Sequence, residues 1–265
     1  MTQNSATGML GAKDMPTKKR AKRALETEAA QQITSFRDVL EAAGNRPGGS
    51  GERGKISYAT AFANPMARLI AHALRQDFPD IKPDRSGRGI ESPAQSMRGL
   101  KRLDVNFSTQ TAGLGLGVSL KSVHTPDKNP KVRFHHNMKR NDEELRVEAL
   151  GYHQRQPYAV LVAVVILPFE ACEDGSSDRA SSFGTWVEYV WPLGGRTDLS
   201  GEFDRFEAVF VALYDADSAD LGFFHVSAPP PKRGRPTSLL SLDEFAQRLA
   251  DLYKERNSLK FRWAD

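Results

Sequence analysis

Ten successive positions from Tyr158 to Leu167 are apolar, with no polar residue among them. Such a run reads as a strand covered on both faces rather than one that alternates between core and water. Upstream, residues 103–107 and 114–123 carry apolar and β-branched side chains on either side of a turn-forming stretch at 108–113, which predicts a hairpin. Residues 57–78 place Phe62, Met66, Leu69, Ile70 and Leu74 at helical spacing, giving one apolar face to pack on a sheet. Residues 141–154 predict a second helix with Leu145, Ala149 and Tyr152 on its apolar face and an Asn or Asp start. Further strands are expected at 185–191, 205–214 and 221–226, where Trp186, Tyr189, Trp191, Phe206 and Phe210 read as core. A last helix at about 242–255 opens on Ser241-Leu-Asp-Glu244, a capping box.

Between these elements the polar positions mark boundaries. Residues 1–20 cannot bury enough surface to fold alone. Residues 21–43 favour helix, with Leu25, Ile33, Phe36, Val39 and Leu40 as apolar contacts, before a glycine-rich run at 44–54. The expected organisation is a flexible N-terminal segment with a helix and linker at 1–54, a main domain at 55–228, and a basic segment with a C-terminal helix at 229–265. Residues 80–93 and 173–182 read as polar loops, and a long loop of this kind is a common place for ligand contacts.

Composition narrows the class of protein. Of 265 residues, 39% are hydrophobic and 26% charged, which suits one substantial globular core. The single cysteine, Cys172, excludes an internal disulfide and a cysteine-based zinc site, and points to a reducing compartment, the cytoplasm. The longest apolar run is too short for a bilayer span, so no membrane partner is expected. A net charge of +4 is too small to establish nucleic-acid binding by itself. Its distribution says more, because basic residues gather at 18–23, at 98–102 and at 232–235.

Metal-assisted hydrolysis of a phosphodiester needs carboxylates to hold the ion, a water nucleophile and a cation near the scissile phosphate. Asp104, on the first strand of the hairpin, supplies a carboxylate, and Lys121, on the second, a cation. The order helix, hairpin, helix, buried strand over residues 57–168 resembles the core of the PD-(D/E)XK nuclease superfamily. In that family an Asp is followed by a hairpin and then by Asp/Glu-x-Lys, here Asp104 and Ser119-Leu120-Lys121. The resemblance implies an α/β fold of restriction-endonuclease-like type, a central mixed β-sheet flanked by helices. It also implies a Mg²⁺-dependent DNA endonuclease, a type II restriction enzyme or related phage-defence nuclease, acting on double-stranded DNA as a homodimer.

Ser119 departs from the pattern, since a serine is a poor Mg²⁺ ligand and brings no charge to offset the ion. Some members of the superfamily carry Ser-x-Lys here and place the missing glutamate on the following helix. This chain offers Glu144 and Glu148, four residues apart and so on one helix face. Glu148 also stands four before Tyr152, similar to a Gln-x-x-x-Tyr motif on this helix in one branch of the family. The implied set is Asp104 with Glu144 or Glu148 on the metal, Lys121 on the water and the developing charge, and Ser119 giving at most a hydrogen bond. A non-catalytic DNA-binding protein that keeps the fold is the alternative. His135 and His136, adjacent on the chain, would point to opposite faces and rarely share one ion.

Two groups are candidates for DNA contact. Arg98, Lys101 and Arg102, with Arg85 and Arg88, precede the aspartate-bearing strand. Pro231-Lys232-Arg233-Gly234-Arg235-Pro236 looks like an AT-hook, in which glycine allows close approach to a minor groove and arginines enter its negative potential. A charged hinge leading to the last helix accounts for Lys232, Arg233 and Arg235 as well.

Overall fold

The structure, a computed structural model, describes residues 32–44, 52–90, 92–96, 99–124, 133–135 and 137–257. The tail at 1–20, the basic run at 18–23, the first part of the predicted N-terminal helix, Arg98 and His136 lie outside the described residues. In chain order the elements are α1 (Phe36–Ala43), α2 (Glu52–Leu74), β1 (Ser92–Ser96), β2 (Gly99–Leu103), β3 (Val105–Thr109), β4 (Gly113–Ser122), α3 (Met138–His153), β5 (Val160–Pro168), α4 (Glu170–Glu173), α5 (Ser182–Val190), β6 (Ala208–Tyr214), β7 (Leu221–His225) and α6 (Leu242–Asn257).

Five strands form one mixed sheet in the order β3-β4-β5-β6-β7. β4, β5 and β6 run parallel, while β3 and β7 pair antiparallel at the two edges. The chain is thus α/β with helices on both faces, as the pattern of long helices around a continuous apolar strand implies. Every residue of β5 is buried. Val160, Val162, Val164 and Ile166 share one apolar cluster with residues of α1, α2 and α6, and Leu161, Ala163, Val165 and Leu167 share the other with α3 and α5. Each of these valines, leucines and Ile166 contributes about 1.5–3 kcal/mol by leaving water. Ile33, Phe36 and Val39 from the N-terminal side, and Phe245, Leu249 and Ala250 of α6, belong to the first cluster. The expected capping box forms at α6, where Glu244 accepts from the Ser241 N–H at 2.7 Å and Ser241 Oγ accepts from Glu244 N–H at 3.3 Å.

Three local readings change. The predicted strand at 185–191 is helix α5. Ser181 caps it by accepting from Gly184 N–H at 3.1 Å, Asp174 accepts from Ser182 N–H at 2.6 Å, and Phe183, Trp186, Val187 and Val190 turn inward at helical spacing. Aromatic and β-branched content suggested a strand, but the period of the buried positions is that of a helix. Of the aromatics assigned to the core, Trp186, Phe206 and Phe210 are buried, whereas Tyr189 and Trp191 are 37% and 61% exposed. The region expected to be loop up to residue 93 is followed by a second hairpin, β1–β2, paired from Ser92↔Leu103 to Ser96↔Gly99.

One charged cluster lies inside the core. Glu207, just before β6, receives Arg196 Nη1 at 2.8 Å and Arg256 Nη2 at 3.1 Å on one oxygen, and Leu161 N–H at 2.7 Å on the other. His153 Nε2 stands 3.3 Å from that second oxygen, an ion-pair distance rather than an aligned hydrogen bond. Burial would push the Glu207 carboxyl up, but His153, the Leu161 amide and Arg196 hold it below the ordinary glutamate range.

Candidate active site

The site grows out of the break between β2 and β3. Antiparallel pairing of β3 with β4 begins at Val105↔Val118, so the outer edge of β4 beyond that point is not covered by β3. Asp104, the residue in the break, accepts a hydrogen bond from Leu120 N–H at 2.7 Å on that edge. Gly117 permits this approach. A Cβ there would stand 2.7 Å from Leu103 Cδ1 and 3.0 Å from Leu161 Cδ2, so a larger residue would force those two side chains beside Asp104 to shift.

Ser119 and Lys121 are two apart on β4 and share a face. They are in register with Ala163 and Val165 of β5, whose side chains lie in the cluster that also holds α3. Two turns of α3 therefore stand above them. Ser119 Oγ donates to Glu148 Oε2 at 2.7 Å, and Lys121 Nζ donates to Glu148 Oε1 at 3.1 Å and to Glu144 Oε2 at 3.3 Å. Arg140, one turn earlier on α3, donates to the other oxygen of Glu144 at 2.7 Å. Glu144 and Glu148 thus both reach the Ser-x-Lys strand, Glu148 with both oxygens.

Electrostatics follow this geometry. Burial works against the Lys121 ammonium, yet Glu148 and then Glu144 raise its pKa above the ordinary lysine value, so it stays protonated. Burial likewise disfavours charge on Glu144, but Arg140 and Lys121 bring its pKa down. Tyr152, one turn beyond Glu148, is fully buried, and its hydroxyl has no hydrogen-bond partner among the described residues. Burial, then the charges of Glu148 and Asp104, push its pKa well up and keep it neutral. Sequence reasoning assigned Tyr152 to packing. Its i+4 spacing from Glu148 was the available signal that it borders the site.

The remaining candidates lie elsewhere. Lys101 and Arg102 are on β2, and the β1–β2 hairpin touches α3, β3 and β4. Lys232, Arg233 and Arg235 do not join the acidic cluster. Lys232 Nζ donates to Ser177 O at 3.0 Å, the Arg235 guanidinium sits 4.2 Å over the Phe169 ring and 3.8 Å from Asp215, and Gly234 N–H donates to Cys172 O at 3.0 Å. His124 is held among Tyr58, Phe62 and Tyr214, with Nδ1 3.2 Å from the Tyr214 hydroxyl.

Among the described residues no group of three or more His, Cys, Asp or Glu side chains is arranged as a metal-binding set, and no helix is long and apolar enough to cross a membrane. The donor chemistry nevertheless suits a hard cation. Asp104, Glu148 and Glu144 offer carboxylate oxygens, which Mg²⁺ prefers over nitrogen or sulfur. No protein-family model, no curated protein and no solved structure matches the chain.

Proposed function

We propose that the chain is a Mg²⁺-dependent endonuclease of restriction-endonuclease-like fold that hydrolyses phosphodiester bonds in double-stranded DNA, of the restriction or phage-defence type. One observation carries this reading. Two carboxylates of α3, Glu144 and Glu148, converge on Lys121 of the Ser-x-Lys strand, while Asp104 accepts from the main-chain amide of the neighbouring Leu120 at the edge of β4 that β3 leaves.

In this reading Asp104 and Glu148 hold the ion, with Glu144 beside them. Bound Mg²⁺ would polarise the phosphate and lower the pKa of an attacking water. Ser119 orients Glu148 through its hydroxyl and so leaves the acid's place on the strand to a side chain from the helix. Lys121, protonated and partly desolvated, stabilises the added negative charge on the phosphate as attack proceeds, where low dielectric strengthens its effect. Arg140 steers Glu144. Two-fold recognition sites would favour a homodimer.

A second reading is favoured by the contact of Lys121 with both glutamates, which satisfies them without an ion: a DNA-binding protein that keeps the fold without cutting. Plasmid cleavage separates the two. The nuclease reading expects Mg²⁺-dependent cutting that is lost with EDTA and in Lys121→Ala. Retained DNA binding with no cutting under any divalent cation would establish the second. The exchange of strand acid for helix acid has its own test. Ser119→Asp alone sets a carboxylate against Glu148 and lowers activity, whereas Ser119→Asp with Glu148→Ser restores part of it. Equal activity of the single and double variants would refute the exchange.

A further inference from the structure

We propose that the loop of residues 79–90, with the end of α2, forms a phosphate-backbone track for duplex DNA along the β3 edge of the sheet, leading to Asp104. The choice of DNA as partner rests on the function proposed above, while the track itself rests on separate residues.

The loop is fixed to the sheet edge by main-chain bonds. Lys82 N–H donates to Asn106 O at 2.8 Å and Asn106 N–H to Lys82 O at 2.9 Å. Asn106 is two residues past Asp104, about 7 Å along the strand, which is about two phosphate steps of duplex rise. The shape of the loop is equally determined. Asp84 Oδ1 accepts from Ser86 N–H at 2.9 Å, from Ser86 Oγ at 2.7 Å and from Arg88 N–H at 3.0 Å, and Asp84 N–H donates to Arg88 O at 2.8 Å. Arg75, at the end of α2, donates to Ile81 O at 3.2 Å and Pro83 O at 2.7 Å. Gly87 and Gly89, at φ 78° and 84°, let the backbone come down on the side chains of Arg68 and Lys82, where a Cβ would stand 3.2 Å from Arg68 and 3.0 Å from Lys82.

The result is a collection of cations on a rigid support. Arg68, Arg75, Lys82, Arg85 and Arg88 come from this short stretch, and Arg85 and Arg88 are exposed. The acids nearby offset them only in part: Asp84 pairs with Lys82 at 3.5 Å and Asp77 with Lys254 of α6 at 2.9 Å, so that against the five cations Asp80 and Asp84 still leave three positive charges in excess. A groove of about 550 Å³ runs between Arg75, Lys82 and Arg85. The loop exposes no aromatic ring, so it suits a sugar–phosphate backbone rather than stacked single-stranded bases.

The test is duplex binding in EDTA, read by fluorescence anisotropy over a salt series, so that it is independent of cutting. Each phosphate contact contributes a slope of about 0.9 in log affinity against log salt. Arg85→Ser with Arg88→Ser is expected to lower the slope by about two units and to weaken binding at low salt at least tenfold. Arg155→Ser with Arg248→Ser, which removes the same charge from α3's end and from α6, should leave the slope unchanged. An unchanged slope in the Arg85/Arg88 variant, an equal loss in the control, or tighter binding of single strands than of duplex by the wild type would overturn the proposal. Cutting with an unaltered slope would remove the track and leave the nuclease, and a lost slope in a chain that never cuts would do the reverse.

Discussion

The two ends of α3 carry two charged clusters built on opposite plans. Towards its start, two carboxylates, Glu144 and Glu148, meet one lysine, whose side chain is 16% exposed. At its end, His153 joins Arg196 and Arg256 around one glutamate, Glu207, whose side chain is 3% exposed. The inner cluster has an acid with both oxygens taken by donors of the same chain, Leu161 N–H among them. The outer one lies open to water, with the Glu144 side chain 38% exposed. Burial makes an unpaired charge expensive, so the closed cluster must be complete within the chain, while the open one can stay incomplete and take a cation. The comparison separates a structural tie from the proposed chemical site, which uses the same residue types.

Breaking the inner tie should have the largest effect. Glu207→Ala strands Arg196 in the core and is expected to cost about 3–5 kcal/mol, read as a lower urea midpoint, with cleavage per folded molecule retained. Glu148→Gln should behave in the opposite way, cutting at least 100-fold more slowly, about 2.7 kcal/mol in barrier, with a stability change within about 1 kcal/mol. If both variants lost stability alike, the contrast between the clusters would collapse.

Acid sharpens the contrast. The Glu207 pKa is depressed on folding, so its contribution is present above the ordinary glutamate value and is lost as pH falls through the folded value. Stability should therefore fall as pH drops below about 4.3, and Glu207→Gln should flatten that decline. Lys121 has the reverse sign: its pKa is raised, so its contribution is present below the ordinary lysine value and fades as pH rises beyond about 10.4. Lys121→Met should flatten the alkaline limb and, because Lys121 also lowers the Glu144 pKa, soften the acid one slightly, as followed by denaturation across pH. The smallest effect belongs to Arg140→Ala, which removes an i,i+4 pair at the helix surface for about 0.3–0.5 kcal/mol, measured by the same urea titration.

The outer cluster was legible in the sequence because its parts obey local periods. Ser119 and Lys121 stand two apart on a strand, Glu144 and Glu148 four apart on a helix, and the continuous apolar run at β5 implies a sheet buried on both faces to hold them together. The inner cluster obeys no period. Its members at 153, 196, 207 and 256 are joined only by the folded chain, and nothing in the neighbourhood of Glu207 announces that its side chain will turn inward. Helix α5 was misread because residue type and spacing disagreed there, and the spacing of Phe183, Trp186, Val187 and Val190 prevailed. The binding of the 79–90 loop to β3 was hidden for a related reason: it depends on main-chain bonds at Lys82 and Asn106, which any side chains could have made.

The hydrogen bond from Leu120 N–H to Asp104 also bears on how this protein avoids sticking to itself. Where β3 stops, β4 would present bare amide groups to any passing strand, the kind of edge that invites pairing between molecules. Asp104 occupies that edge with a negative charge. Replacing it with alanine would remove a carboxylate from the site and at the same time leave an edge amide unguarded, so lost activity and aggregation would arrive together. Asp104→Asn keeps an oxygen for Leu120 while discarding the charge, and it would show which duty the aspartate performs: a soluble, inactive protein would mean that the guard needs only the oxygen and that the chemistry needs the charge.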